Sequence, residues 1–244
     1  MPSTDVAVSL RNVHKDYGGL RPLRVKHLEL REGESVALMG FDQVGAEVLV
    51  NLITGATLPD SGDVDVFGSA TGAITDPDAW LAAADQFGIL SDRILLLESF
   101  SVEQNLALPI SLELDHLPVP VRAIVRRLAD EVGVTNAQLS QVVTHLDAES
   151  QLRVRLGKAL ALAPRVLLAE HPNLTLSPEH LPRLASDLAR IAASRSLAMV
   201  VMTADPIFAN AVSNRVLTLI PATGALTAAS GWRRWLTRAF FIGL

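Results

Sequence analysis

The chain of 244 residues contains no cysteine, which excludes disulfide bridges and thiolate-ligated zinc. Aromatic residues are few, at 5%. There is no basic excess: 21 Lys and Arg face 26 Asp and Glu, a formal net charge of -5. A nucleic-acid partner, which calls for a basic face, is therefore not expected. No apolar run is long enough to cross a bilayer. The stretch from Met1 to Arg11 lacks the basic-then-apolar order of a secretory signal. A cytoplasmic location is the resulting expectation, unless a partner holds the chain at a membrane.

What is present is aliphatic. Hydrophobic residues make up 49% of the chain and charged residues 19%, enough for a large core and too apolar for a disordered chain. The bulk is Leu, Val and Ala, as in an α/β protein with buried parallel strands. The length fits one sizeable domain, or one domain with a lobe inserted into it.

Val6, Val8 and Leu10 alternate with polar neighbours, the pattern of a strand in an antiparallel edge sheet. Leu23 to Leu30 reads as a second strand, closed by the turn Glu32-Gly33-Glu34. Ser35 to Met39 is a short apolar strand ending at Gly40, and Glu47 to Thr54 is a helical pattern closed by Gly55. Strand, glycine-bearing loop and helix in that order form a nucleotide-binding βα unit. Asp63 to Phe67 is another strand after the turn Pro59 to Gly62. Ser101 to Ile110, Val119 to Val132 and Ala148 to Ala163 then read as helices. Beyond them come a strand (Val166 to Ala169), a helix (Leu181 to Ala193) and two strands (Ala198 to Met202 and Arg215 to Ile220). An α/β core interrupted by a helical lobe accounts for this order.

The spaced pieces resemble the ATP-binding-cassette (ABC) ATPase family over about the first nine-tenths of the chain. They are most similar to the ATPases of lipoprotein-release and macrolide-export type permeases. Leu10-Arg11-Asn12-Val13, Lys15 and Tyr17 resemble the family's opening strand and its adenine-stacking aromatic. Asn51 to Gly55 and Leu58 to Gly62 resemble the segment after the phosphate loop, and Glu103 to Pro109 the start of the helical lobe. Arg153-Val154, Ala159 to Ala161 and Pro164-Arg165 fall on the signature helix; Pro172, Thr203, Asp205-Pro206 and Arg215 to Leu217 complete the match. The resemblance implies a P-loop NTPase (RecA-like) core with an antiparallel edge sheet. It places an ABC ATPase-like domain at 1–230, a helical lobe at about 92–163, and an amphipathic tail at 231–244.

The motifs that carry the family's chemistry are altered. A phosphate loop reads G-x-x-x-x-G-K-[ST]; its amides cradle phosphates, its Lys neutralises them and its hydroxyl holds Mg²⁺. Here Gly40 and Gly45 keep the outer glycines, but Ala46 stands at the lysine position and Glu47 at the hydroxyl position. A carboxylate there repels phosphate, by roughly 1 kcal/mol at about 4 Å in water and by more in a cleft. Glu170 replaces the Asp that supports Mg²⁺, and His171 the Glu that polarises the attacking water. Ala204 replaces the switch histidine, Asp92 aligns with the magnesium-contacting glutamine, and Ser177 with the Asp of the dimer-contact loop. The family's L-S-G-G-Q signature, which binds the γ-phosphate held by an opposite subunit, becomes Leu146-Asp147-Ala148-Glu149-Ser150. Asp147 and Glu149 at a helix N-terminus supply the anion themselves and repel another.

Two readings of the vacated cleft stay open. Tyr17 stacks on adenine, or it is a surface aromatic left from an ancestor; the second is preferred because the lost lysine carried much of the phosphate affinity. Glu47, Glu170 and His171 either converge on a divalent metal or pair with Lys, Arg and water, and the second is again preferred. No metal and no cofactor is expected, ATP and Mg²⁺ included. His14, His27, His116, His145 and His180 are scattered and suit surface or capping roles. In the tail, Trp232, Trp235, Leu236, Ala239 and Phe240 fall on one helical stripe, with Arg233, Arg234 and Arg238 largely off it. Such a stripe docks on a membrane surface or a partner, or packs on its own domain.

The reading adopted is a pseudo-ATPase: a catalytically inactive ABC ATPase-like subunit that scaffolds or regulates a membrane permease. It would sit at the inner face of the cell membrane and pair with a permease and a second ABC ATPase-like subunit, in a homo- or heterodimer. The alternative is an ATP-binding subunit of an ABC transporter with weak or partner-dependent ATPase activity.

Overall fold

The computed structural model describes residues 6–74 and 76–228. Alternation at the start of the chain builds β1 (Val6–Lys15), which pairs antiparallel with β2 (Leu23–Arg31) and with β4 (Ser61–Val66). Leu10 sits opposite Leu28 on one side and Val64 on the other, so three apolar side chains meet across the sheet. A short β5 (Ser69–Ala70) completes the order β2-β1-β4-β5.

The second sheet is six-stranded, in the order β10-β9-β3-β8-β7-β6. Its strands are β3 (Ser35–Met39), β6 (Phe87–Leu90), β7 (Val166–Glu170), β8 (Ala198–Met202), β9 (Val216–Ile220) and β10 (Ala225–Ala228). All pairings are parallel except β9 with β10. Covered faces explain why the central strands read as unbroken apolar runs. On β3, Val36 and Leu38 join one core while Ala37 joins the other; on β8, Val200 and Met202 face one side, Met199 and Val201 the other.

Helix α1 (Gln43–Ile53) and the antiparallel sheet fill one core. The other core holds α3 (Val102–Ala107), α4 (Val119–Val132), the single turn α5 (Asn136–Leu139) and α6 (Ala148–Leu160). It also takes in α7 (Leu181–Arg195) and α8 (Pro206–Val212). A surface helix α2 (Pro77–Ala84) precedes β6.

Several boundaries differ from the sequence reading for local reasons. Helix α6 stops at Leu160, short of Ala163, because Ala163 takes a left-handed φ of 52° just ahead of Pro164. Helix α3 ends at Ala107, not Ile110. The reading missed β6, whose Gly88 breaks the strand pattern. That glycine is there for space: a Cβ on it would lie 2.5 Å from the Ala159 carbonyl oxygen, so α6 rests directly on β6. Also missed were β5, α2, the single turn α5, α8 and the hairpin strand β10.

Candidate functional site

The connection from β3 to α1 is Gly40, Phe41 and Asp42. Gly40 takes φ 84°, and a Cβ there would meet the Leu219 carbonyl oxygen at 2.9 Å, so this turn requires glycine. Helix α1 then begins at Gln43 with Asp42 as its N-cap, four residues earlier than the sequence pattern placed it. The Asp42 carboxylate accepts from Gly45 N–H at 2.7 Å, and the Asp42 carbonyl from Ala46 N–H at 2.9 Å. Two amides that a phosphate cradle would aim at a ligand are therefore bonded within the chain. Gly45, the second of the outer glycines, lies inside the helix with its N–H already capped. Ala46 is fully buried in the core with Leu49 and Leu52.

Glu47 and Glu170 come together through a residue that the sequence reading did not single out, Arg93. Its Nη1 donates to Glu47 at 3.1 Å and its Nε to Glu170 at 3.0 Å, with a further bond from Nη2 to Glu170. Ser91 Oγ donates to the same Glu170 carboxylate at 2.8 Å. Glu170 lies at the C-terminal end of β7 and is buried. The hydrogen bond to Glu170, opposed by burial, raises the Arg93 guanidinium above its ordinary range. Asp92, aligned with the family's magnesium-contacting glutamine, is elsewhere. Its carboxylate is half-exposed, 3.8 Å from Arg155 Nη1. The preferred pairing of Glu47 and Glu170 with a basic residue is what the geometry has, but His171 takes no part in it.

His171 follows Glu170 with a left-handed φ of 45°; its N–H donates to the Met202 carbonyl at 2.9 Å, and its Nε2 is buried without a hydrogen-bond partner among the described residues. Ala204 is exposed between two polar anchors. Thr203 Oγ1 donates to Asn173 Oδ1 at 2.8 Å, and Asp205 caps α8 by accepting from Ile207 and Phe208 N–H. Among the described residues, no group of three or more His, Asp or Glu is arranged to hold a metal ion.

Tyr17, Gly40 and Gly45 do share one space. With Leu20, Phe41, Asp42, Val44 and Leu219 they line a cavity of about 710 Å³. The Tyr17 ring is half-buried, and Gly19 folds against it so closely that a Cβ there would lie 2.5 Å from the ring.

The two acidic residues at the start of α6 have separate tasks. Asp147 caps the helix, accepting from Ser150 N–H at 2.7 Å, and that bond holds its carboxyl below the ordinary carboxylate range. Glu149, expected to share the helix terminus, turns away from it. It accepts from Arg153 at 2.8 and 3.1 Å and lies 2.7 Å from His180 Nδ1. Arg153, only 6% exposed, also donates to Asp187 at 2.9 Å and to the Val132 carbonyl at 2.6 Å. The start of α6 is thus tied to α7 and to the end of α4. Trp232, Arg233, Arg234, Trp235 and Phe240 lie outside the described residues.

The family profile described as "ABC transporter" matches residues 23–173. A phosphonates import ATP-binding protein of Anaeromyxobacter dehalogenans is 30% identical over 217 residues, covering 86% of this chain and 43% of that protein. A lipoprotein-releasing system ATP-binding protein of Paramagnetospirillum magneticum is 29% identical over 191 residues, covering 77% of this chain and 82% of that one. The chain spans only 43% and 42% of the length of two of its curated relatives, the phosphonates and ribose import proteins. A bacterial ABC transporter cassette solved as a dimer superposes with TM-score 0.74 at 22% identity, over 92% of this chain and 100% of that one. The Clostridium perfringens protein cbiO1, part of the ABC transporter complex cbiONQ, gives 0.79 at 19% identity, over 91% and 87%. These likenesses establish the P-loop NTPase fold with its inserted helices.

Proposed function

This chain belongs to the ABC transporter family, and we propose that within it the chain serves as a non-hydrolysing cassette subunit that scaffolds or regulates a membrane permease. The observation that carries this reading is the Arg93 guanidinium seated between Glu47 and Glu170. In a working cassette the corresponding carboxylate supports Mg²⁺; here a side chain of the protein supplies the positive charge. The Asp42 cap on Gly45 N–H supports the reading from the phosphate side. Arg93 offsets one of the two carboxylate charges from within the chain and leaves the cleft acidic, and a nucleotide would have to displace both contacts without a phosphate-loop lysine to repay their loss.

A permease partner is the natural complement of a cassette subunit. No helix among the described residues is long and apolar enough to cross a membrane. We place the chain at the inner face of the cell membrane, paired with a permease and with a second cassette. The sequence stripe from Trp232 to Phe240 is the candidate contact with lipid or partner.

A second reading is favoured by the relatives, which are named as ATP-binding proteins of import and lipoprotein-releasing systems. Under it, the chain is an ATP-binding subunit with weak or partner-dependent ATPase activity. A phosphate-release assay on the full chain, alone and in membranes with its partners, separates the two. The first reading expects no turnover attributable to this chain. Turnover that disappears on Glu170→Ala would establish the second.

A further inference from the structure

The segment that leaves β6 for the helical lobe, Ser91 to Phe100, is fastened from two sides within a few residues. On the core side, Arg93 is bonded to Glu47 and Glu170, and Ser91 to Glu170. On the lobe side, Arg155 Nε donates to the Ile94 carbonyl at 3.3 Å and Lys158 Nζ to the Leu95 carbonyl at 2.7 Å, both from α6. Asn105 of α3, fully buried, accepts from Leu97 N–H at 2.8 Å and returns a bond to the Leu97 carbonyl at 3.1 Å.

A connecting segment normally satisfies its backbone with water and moves accordingly. Here three consecutive positions, Arg93, Ile94 and Leu95, are held in turn by the core, the lobe and the lobe. The anchors are unequal in kind. Asn105 and Lys158 grip backbone atoms and tie the segment to its own lobe. Two side chains reach back to the core: Ser91 and Arg93 both bond the buried Glu170 carboxylate on the central sheet, and of the two only Arg93 also bonds Glu47 on α1. Removing Arg93 would leave the lobe half of the fastening whole and the core half reduced to Ser91.

We propose that Ser91–Leu97 is a fixed strap, with Arg93 as the positioning residue at its core end, so that the angle between helical lobe and α/β core is set by the chain's own charges and not by a bound ligand. The lobe then presents one constant surface to whatever it docks on. The inference concerns mobility, and stands whether or not nucleotide is turned over elsewhere in an assembly.

Because the chain is free of cysteine, Thr57→Cys beside the antiparallel sheet and Ala123→Cys on α4 give a specific spin-label pair across the two parts in the full-length protein. Pulsed dipolar spectroscopy should give one narrow distance distribution, unmoved by Mg²⁺ with ATP. Arg93→Ala should broaden it, and should speed amide exchange across residues 91–97 by about tenfold or more while β3, β7 and β8 stay protected. A parent distribution that is broad or shifts with Mg²⁺ and ATP overturns the proposal, as does an Arg93→Ala protein with unchanged distance and exchange. If Arg93→Ala does not fold, Glu47→Gln removes only the half-exposed partner. It should broaden the distribution to a lesser degree, and no change there also overturns the strap.

Discussion

The Asp42 carboxylate accepts the Gly45 backbone N–H at 2.7 Å, so the helix that in a phosphate-binding unit would meet an anion meets one from its own chain. An N-cap carboxylate satisfies an orphan amide and sits favourably on the positive end of the helix dipole. Asp42→Ala should therefore lower stability by about 1 kcal/mol. The check is a urea midpoint at unchanged slope. A variant as stable as the parent would show that the cap contributes nothing and that the loop is merely idle.

Ala46 has no exposed surface and packs in the core with Leu49, Leu52 and Val166. In this helix register a long charged side chain at 46 must either enter the core or push α1 aside. Ala46→Lys, the obvious single restoration, should destabilise by about 1–3 kcal/mol and should yield no ATP turnover. Catalytic groups that act as a unit are strongly non-additive, and Glu47, His171 and Ala204 would all remain. Robust phosphate release by the single variant would show that residue 46 reaches the cleft and that α1 works in a different register.

Arg93 and the carboxylates it bridges offer a sharper test. Without the guanidinium, Glu170 is left as a buried charge with Ser91 its sole remaining side-chain hydrogen-bond partner among the described residues. The loss should be about 2–3 kcal/mol, at the lower end for a buried pair because Arg93 is itself 42% exposed. What remains in Arg93→Ala is an all-oxygen set, Glu47, Glu170 and the Ser91 hydroxyl, of the hardness that suits Mg²⁺ or Mn²⁺. Millimolar Mn²⁺ should raise the melting temperature of Arg93→Ala and leave the parent unmoved. Equal response of the two proteins would show that the guanidinium is not standing in for a cation.

The family and its fold were legible because they rest on local signals. Buried strands such as Val166–Glu170 and Ala198–Met202 announce themselves as apolar runs, and the spaced framework residues fix their order. Residue identities at the altered motifs were equally plain. How those residues are used was not. Arg93 and Glu170 are 77 positions apart, and alignment drew attention to Asp92, one residue away, because it followed a family pattern instead of a charge balance. The start of α1 reads as Glu47 because the apolar helical pattern is taken from that point. The Asp42 cap winds the preceding stretch into helix, and only the fold reveals it. Glu149 looked like a second capping carboxylate until Arg153, four residues on and facing α7, supplied a nearer partner. A side chain's role at these positions is decided by the opposite charge that the fold brings within reach, and single-sequence periodicity does not carry that information.

Asp147 makes a pH-dependent contribution whose sign follows from its cap. The Ser150 N–H bonds the ionised carboxylate and holds its folded-state value below the ordinary one. The stabilisation is then fully present above the unfolded carboxylate value, near about 4, and is lost as pH falls through the lowered folded value. Asn at the same position still caps through its side-chain oxygen but does not titrate. Asp147→Asn should therefore match the parent within a few tenths of a kcal/mol at neutral pH and lose less stability between neutral and acid. The useful quantity is the difference between the two proteins, because Asp60, held low by its own hydrogen bonds, titrates alike in both. Urea midpoints of parent and variant, measured across the acid range, supply that difference. Parallel curves would mean that the Ser150 contact leaves the Asp147 carboxyl at its ordinary value, and that the acidic start of α6 owes its order to Glu149 and Arg153 instead.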